Sequence, residues 1–131
     1  MSGEGARIVS YRDLVAWQEA MRLAESVYAV VAELPADERF GLSAQLRRAV
    51  VSVPSNIAEG HARGSTRDFI RFIAIARGSL AEVETQLHLI VRLNMMYPRQ
   101  VASVLERCDE LGRILQGLRK SLEDKRAAAR R

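Results

Sequence analysis

The sequence predicts an all-α protein, an up-down-up-down four-helix bundle, on three observations. Four segments carry apolar residues at alternating spacings of three and four, the period of one helix face. The connections between them are short, which makes successive helices neighbours. No segment alternates with period two for long enough to form a strand. The 131 residues amount to one domain, and 48% hydrophobic with 27% charged residues is the balance of a globular chain. The bundle is expected over residues 13–125, after an N-terminal extension (1–12) and before a basic tail (126–131).

The first helix is expected from Asp13 to Leu34. Leu14, Trp17, Met21, Ala24, Tyr28 and Val31 form its stripe. Ser10 with Asp13 resembles a capping box, and Pro35 ends the helix because the residue before a proline leaves the α region. The second helix is expected from Leu42 to Glu59, with Leu46, Val50, Val53 and Ile57 inward. Pro54 interrupts it, costing about 3 kcal/mol in a helix interior. The stripe stays in phase across the proline, so one kinked helix is expected, with Gly60 and Gly64 marking the exit turn. The third and longest stripe is Phe69, Ile73, Ala76, Leu80, Val83, Leu87 and Ile90. It predicts a helix from Thr66 to Asn94, capped by Ser65. The fourth starts at Pro98, a favoured first helical residue. It carries Val101, Val104, Cys108, Leu111, Leu115, Leu118 and Leu122, and is expected to fade near Lys125.

Several function classes fall away. No apolar run approaches the roughly 18 residues of a membrane span, and Met1–Ser10 lacks a signal-peptide core. A single cysteine permits no internal disulfide, so a reducing cytoplasm is the expected location. His61 and His88 have no partner at a metal-ligand spacing, so neither metal nor cofactor is expected. The Gly60–Thr66 stretch has no phosphate-loop spacing or lysine, Ser79 has no nucleophile-elbow frame, and Glu82 and Glu84 point to different faces. Cys108 sits on the core stripe as a structural thiol. No enzyme constellation is present.

Charge carries more information. The net charge is +4, and eighteen of the twenty basic residues are arginine. Residues 1–42 sum to −3, residues 43–77 to +4, residues 78–125 to zero and residues 126–131 to +3. The excess of the helical part therefore lies on the second and third helices. Its arginines are Arg47, Arg48, Arg63, Arg67, Arg71 and Arg77, and arginine's planar fork suits phosphate. Stacking of bases on aromatics interleaved with these arginines is not expected, so binding would be directed to the backbone. On a single chain the same arginines read first as an ordinary solvated face, and repetition around an oligomer shifts that reading toward a polyanion.

Secondary apolar rows remain. Leu23, Val27, Val30 and Leu34 lie roughly 120° round the first helix from its main stripe, and Ile70, Ile75 and Leu89 flank the third. They are either the edge of a broad core-facing band or a subunit interface.

The stretch from Phe40 to Leu87 closely resembles the four-helix proteins encoded by intervening sequences of bacterial 23S rRNA genes. The block Ser52-Val53-Pro54-Ser55-Asn56-Ile57-Ala58-Glu59-Gly60 is its most specific part, and Asp13-Leu14-Val15-Ala16-Trp17-Gln18 fits as well. The resemblance spans roughly residues 11–118. It implies a left-handed four-helix bundle that assembles as a homopentamer. It also implies kinship to the accessory variability proteins of diversity-generating retroelements, basic pentamers that bind nucleic acid and a reverse transcriptase. No catalytic residue carries over. Gln45, Arg47, Arg48, Ser52, Asn56, Glu59, Ser79, Glu82 and Gln86 match polar signature positions, expected here to fix helix register. The expected function is a non-enzymatic homo-oligomer, pentameric by resemblance, that binds RNA through arginine–phosphate contacts. The alternative is a scaffold that docks a partner protein such as a reverse transcriptase.

Overall fold

The computed structural model describes residues 8–38 and 40–130. A 3-10 turn, Tyr11–Asp13, leads into four helices, α1 (Val15–Val31), α2 (Leu42–Ala62), α3 (Thr66–Arg92) and α4 (Pro98–Ala129), with a second 3-10 turn, Ala36–Glu38, between α1 and α2. No strand occurs among the described residues. α1 packs against α2 and α4, and α3 packs against the same two helices, so the four surround one core.

The ends of the elements follow from local chemistry. The Ser10–Asp13 capping box is present, but it closes the 3-10 turn rather than α1. Asp13 Oδ2 accepts the Val9 and Ser10 amides at 3.0 Å, which holds its carboxyl below the usual range. Ser65 caps α3, its Oγ accepting the Asp68 amide at 3.2 Å. Left-handed residues make the two tight turns, Gly64 (φ 75°) after α2 and Asn94 (φ 61°) after α3. α2 runs unbroken through Pro54 and ends three residues later than its stripe predicts. α4 continues past Lys125 to Ala129, because Arg126 and the alanines after it are strong helix formers. The residues 1–7 of the expected extension and Arg131 of the expected tail lie outside the described residues.

The core contains the predicted stripes of α2, α3 and α4 almost entirely. α1 differs. Its buried residues are Ala16, Ala20, Leu23, Val27, Val30 and Val31, while Met21 and Tyr28 are 38% and 46% exposed. Leu23, Val27, Val30 and Leu34 are thus corrected from subunit interface to core of the single chain. The physical reason lies in the two alanines, which let α1 settle close to its neighbours on that face. Ile70 also packs against the core, whereas Ile75 and Leu89 remain exposed.

Cys108 is fully buried, and burial beside Glu84 and Asp109 pushes its thiol up to about 12. Iodoacetamide at pH 8 should therefore leave the folded protein unmodified and label it fully in denaturant. Mass spectrometry reads the difference, and rapid labelling of native protein would contradict this burial. Among the described residues no helix is long and apolar enough to cross a membrane.

Candidate nucleic-acid interface

The candidate site is built on the close approach of α2 and α3. Gly60, inside the last turns of α2, lies flat against α3. A Cβ there would come within 2.7 Å of Phe72 Cβ and 3.1 Å of Phe69 Cδ1. Only glycine permits this spacing, and it fixes Phe72 at the seam. The Phe72 ring in turn carries two guanidiniums. Arg63 Cζ, from the turn after α2, sits 5.0 Å from the ring centroid, and Arg71 Cζ sits 4.7 Å from it. Arg67, one turn before Arg71, shares its exposed face. Three arginines therefore surround the N-terminal turn of α3, where helix-end amides add partial positive charge. Arg63 also donates to Glu59 Oε2 at 2.8 Å, and this carboxylate raises its pKa.

The sequence reading grouped six arginines, and the structure divides them. Arg63, Arg67 and Arg71 lie together at the α2–α3 turn. Arg48 stands exposed on the rim of the α2–α3 groove farther along. Arg47 faces away, beside Val31, Leu34 and Ser43 in the α1–α2 groove. Arg77 lines the α3–α4 groove with Glu84, Asp109 and Arg113, where burial and Asp109 raise the Glu84 carboxyl. Phe72 escaped the sequence reading, and Gly60 reads there as an exit turn rather than as a packing contact with α3. Phe72 lies between Arg71 and the core stripe, and its buried ring carries the Arg63 and Arg71 guanidiniums.

Beyond the arginine cluster the α2–α3 groove is polar. Ser52 and Ser79 share a hydrogen bond of 2.8 Å across the helices. Asn56 Nδ2 donates to Ser52 Oγ at 2.9 Å and to the Ser52 carbonyl at 2.7 Å. Gln86 Nε2 donates to Gln45 Oε1 at 3.3 Å. These pairs, 45 with 86, 52 with 79 and 60 with 72, run antiparallel along the two helices. Glu82 and Arg48 border the same cleft. Seven of the nine expected polar positions thus gather here, Gln45, Arg48, Ser52, Asn56, Ser79, Glu82 and Gln86, while Arg47 lies in the α1–α2 groove. Glu59 stands apart on an exposed i,i+4 pair with Arg63. Solvent screens such exposed pairs, which add little to stability. Glu59→Ala should accordingly move the melting temperature by no more than about 2 °C. A larger loss in thermal denaturation would assign Glu59 a contact that the monomer does not contain.

The comparisons with known proteins fit this geometry. The family model of the 23S rRNA-intervening sequence protein matches residues 12–117, which include every helix-packing residue of the groove. The chain belongs to the 23S rRNA-intervening sequence protein family. A similar solved structure is that of a protein of unknown function from the S23 ribosomal protein family of Bacteroides thetaiotaomicron VPI-5482. It superposes with a TM-score of 0.75 at 25% identity, over 81% of this chain and 99% of that one. No curated protein matches. In this member of the intervening-sequence family, no three His, Cys, Asp or Glu side chains among the described residues gather to hold a metal ion.

Proposed function

We propose that the protein is a non-enzymatic homo-oligomer that binds RNA through arginine–phosphate contacts at the α2–α3 turn. The observation that carries this reading is the Phe72 ring flanked by Arg63 and Arg71, with Arg67 alongside. Arg71 makes no ion pair among the described residues and Arg63 shares only an exposed one with Glu59, so both can donate bidentate hydrogen bonds to a phosphate beside the ring. The ring holds both guanidiniums in place before the ligand arrives, so little side-chain freedom is lost on binding.

Self-association is supported by the flank of α1 that the core leaves uncovered. Met21 and Tyr28, with the half-buried Trp17 and Ala24, lie on one edge of α1. Val51, 44% exposed, lies on the outer side of α2. Assembly would repeat the arginine cluster around the oligomer and raise the potential felt by a polyanion. Light scattering should give a mass several times that of one chain, and a monomer would remove this part of the reading.

The RNA reading is tested by filter binding over a salt series. Three phosphate contacts on a single strand give a slope of log K against log salt of about −2 per binding site. Absence of retention at low salt would refute it.

A further inference from the structure

Up to residue 117, where the family match ends, the chain is electrically neutral, with fourteen basic and fourteen acidic side chains. Residues 118–131 hold six basic side chains against two acidic ones. Most of this stretch is helix, since α4 continues to Ala129, about 10 Å beyond Leu122, its last buried side chain. The core stripe changes chemistry there. Lys125, Arg126 and the C-cap residue Arg130 all fall within about 80° of Leu122 around the helix axis. The face that is leucine inside the bundle is therefore cationic where it overhangs the end. Asp124 falls about 160° from Leu122, on the outer side, and Glu123 is engaged by Arg119 at 3.5 Å. None of the three cations makes an ion pair among the described residues.

A cleft of about 350 Å³ lies beneath this overhang. One wall is Leu122 and Lys125 of α4. The other is Gly64, Ser65 and Thr66, the turn that Arg63 and Arg67 flank. The floor between them is apolar, and His61 stands edge-on to Phe69 there at 5.7 Å. Among the described residues that line the cleft there is no carboxylate. Asp13, which feels His61, is engaged by the Val9 and Ser10 amides. Gly64 forms the crest of the turn, exposed and with nothing within 4 Å of a would-be Cβ, so a chain can lie close over it. Cations on two walls, separated by an open turn, suit a long and evenly charged ligand rather than a compact anion. Grooves that track the backbone of single strands are built in this way. We propose that Lys125, Arg126 and Arg130 form a second phosphate-binding wall. A single strand of RNA passes over the Gly64 turn, between that wall and Arg63, Arg67 and Arg71. The inference rests on the arginine–phosphate reading of the turn given above.

The test is the salt dependence of binding to a fluorescently labelled single-stranded RNA of about 12 nucleotides, read by anisotropy. The three arginines of the turn alone account for a slope of about −2, and the second wall steepens it to about −4. Lys125→Ala, Arg126→Ala and Arg130→Ala together should return the slope to about −2 and weaken binding at low salt on the order of tenfold. Alanine is the best helix former, so the overhang keeps its form, which circular dichroism checks. Alanine at Arg99, Arg107 and Arg113 removes the same charge elsewhere on α4 and should leave the slope near −4. RNA should also slow amide exchange over residues 123–129 of the unaltered protein, read by mass spectrometry. A slope near −2 that the overhang variant does not change would overturn the second wall and leave binding at the turn standing. Failure of the unaltered protein to bind at low salt would overturn both. Equal weakening by the two triple variants would assign the effect to net charge and overturn the proposal. A lower sedimenting mass for the overhang variant, with its RNA affinity intact, would assign the overhang to contact between copies and likewise overturn it.

Discussion

Replacing Arg63, Arg67 and Arg71 together by alanine should weaken RNA binding by on the order of a hundredfold and flatten the salt dependence by about two units of slope. All three side chains are exposed, so the fold should survive, with circular dichroism unchanged. The informative control removes the same charge elsewhere. Arg99, Arg107 and Arg113 are exposed on α4, away from the turn. Their triple alanine variant should keep its affinity within about threefold, since the whole-molecule field changes equally but both guanidiniums on the Phe72 ring remain. Equal weakening by both variants would mean that net charge, rather than the Phe72 platform, attracts the polyanion.

The second large effect concerns Gly60. A valine there should lower stability by about 3 kcal/mol, at the upper end of overpacking costs, and depress the melting temperature by roughly 10 °C. The obstacle is Phe72 Cβ at 2.7 Å, which no side-chain rotation can move, so α2 and α3 must separate. Separation would also carry Phe72 away from Arg63, and RNA affinity should fall with stability. Gly78 supplies the contrast. It is helical, exposed, and has nothing within 4 Å of a would-be Cβ. Gly78→Ala should stabilise by up to about 1 kcal/mol through helix propensity alone. Differential scanning calorimetry on the two variants measures both signs at once.

The contrast between these glycines explains what the sequence could convey. Periodicity placed the cores of α2, α3 and α4 because each carries one dominant apolar stripe at helical spacing. It misplaced the centre of α1 because that helix carries a band broad enough to hold two rows. Large residues such as Trp17 and Tyr28 drew the eye to one edge, while Ala16 and Ala20, small enough for close packing, marked the other. Gly60 likewise reads as a helix terminator until the neighbouring chain is seen lying against it. The polar groove was legible through the family signature, since Gln45, Ser52, Asn56, Ser79, Glu82 and Gln86 do converge. The buried Gln86 Oε1, which has no hydrogen-bond partner, was not, because satisfaction of a hydrogen bond depends on ångström-scale placement across two helices. The arginines divided for a related reason. Arg47 and Arg48 are adjacent in sequence, yet 100° apart around a helix, and that angle sends them to different grooves.

The unequal lengths of the helices have a thermodynamic consequence. α1 spans about 25 Å and α4 about 48 Å at the usual rise per residue. Leu122 is the last side chain that α4 buries, so the segment to Ala129 stands beyond the shared core. Its helical state is governed by a local helix–coil equilibrium, supported by Arg126 near the negative end of the helix dipole. The core-facing length of α4 melts with the whole molecule in one step. The arm unwinds gradually, turn by turn, and salt shifts that balance by screening the arginine from the dipole.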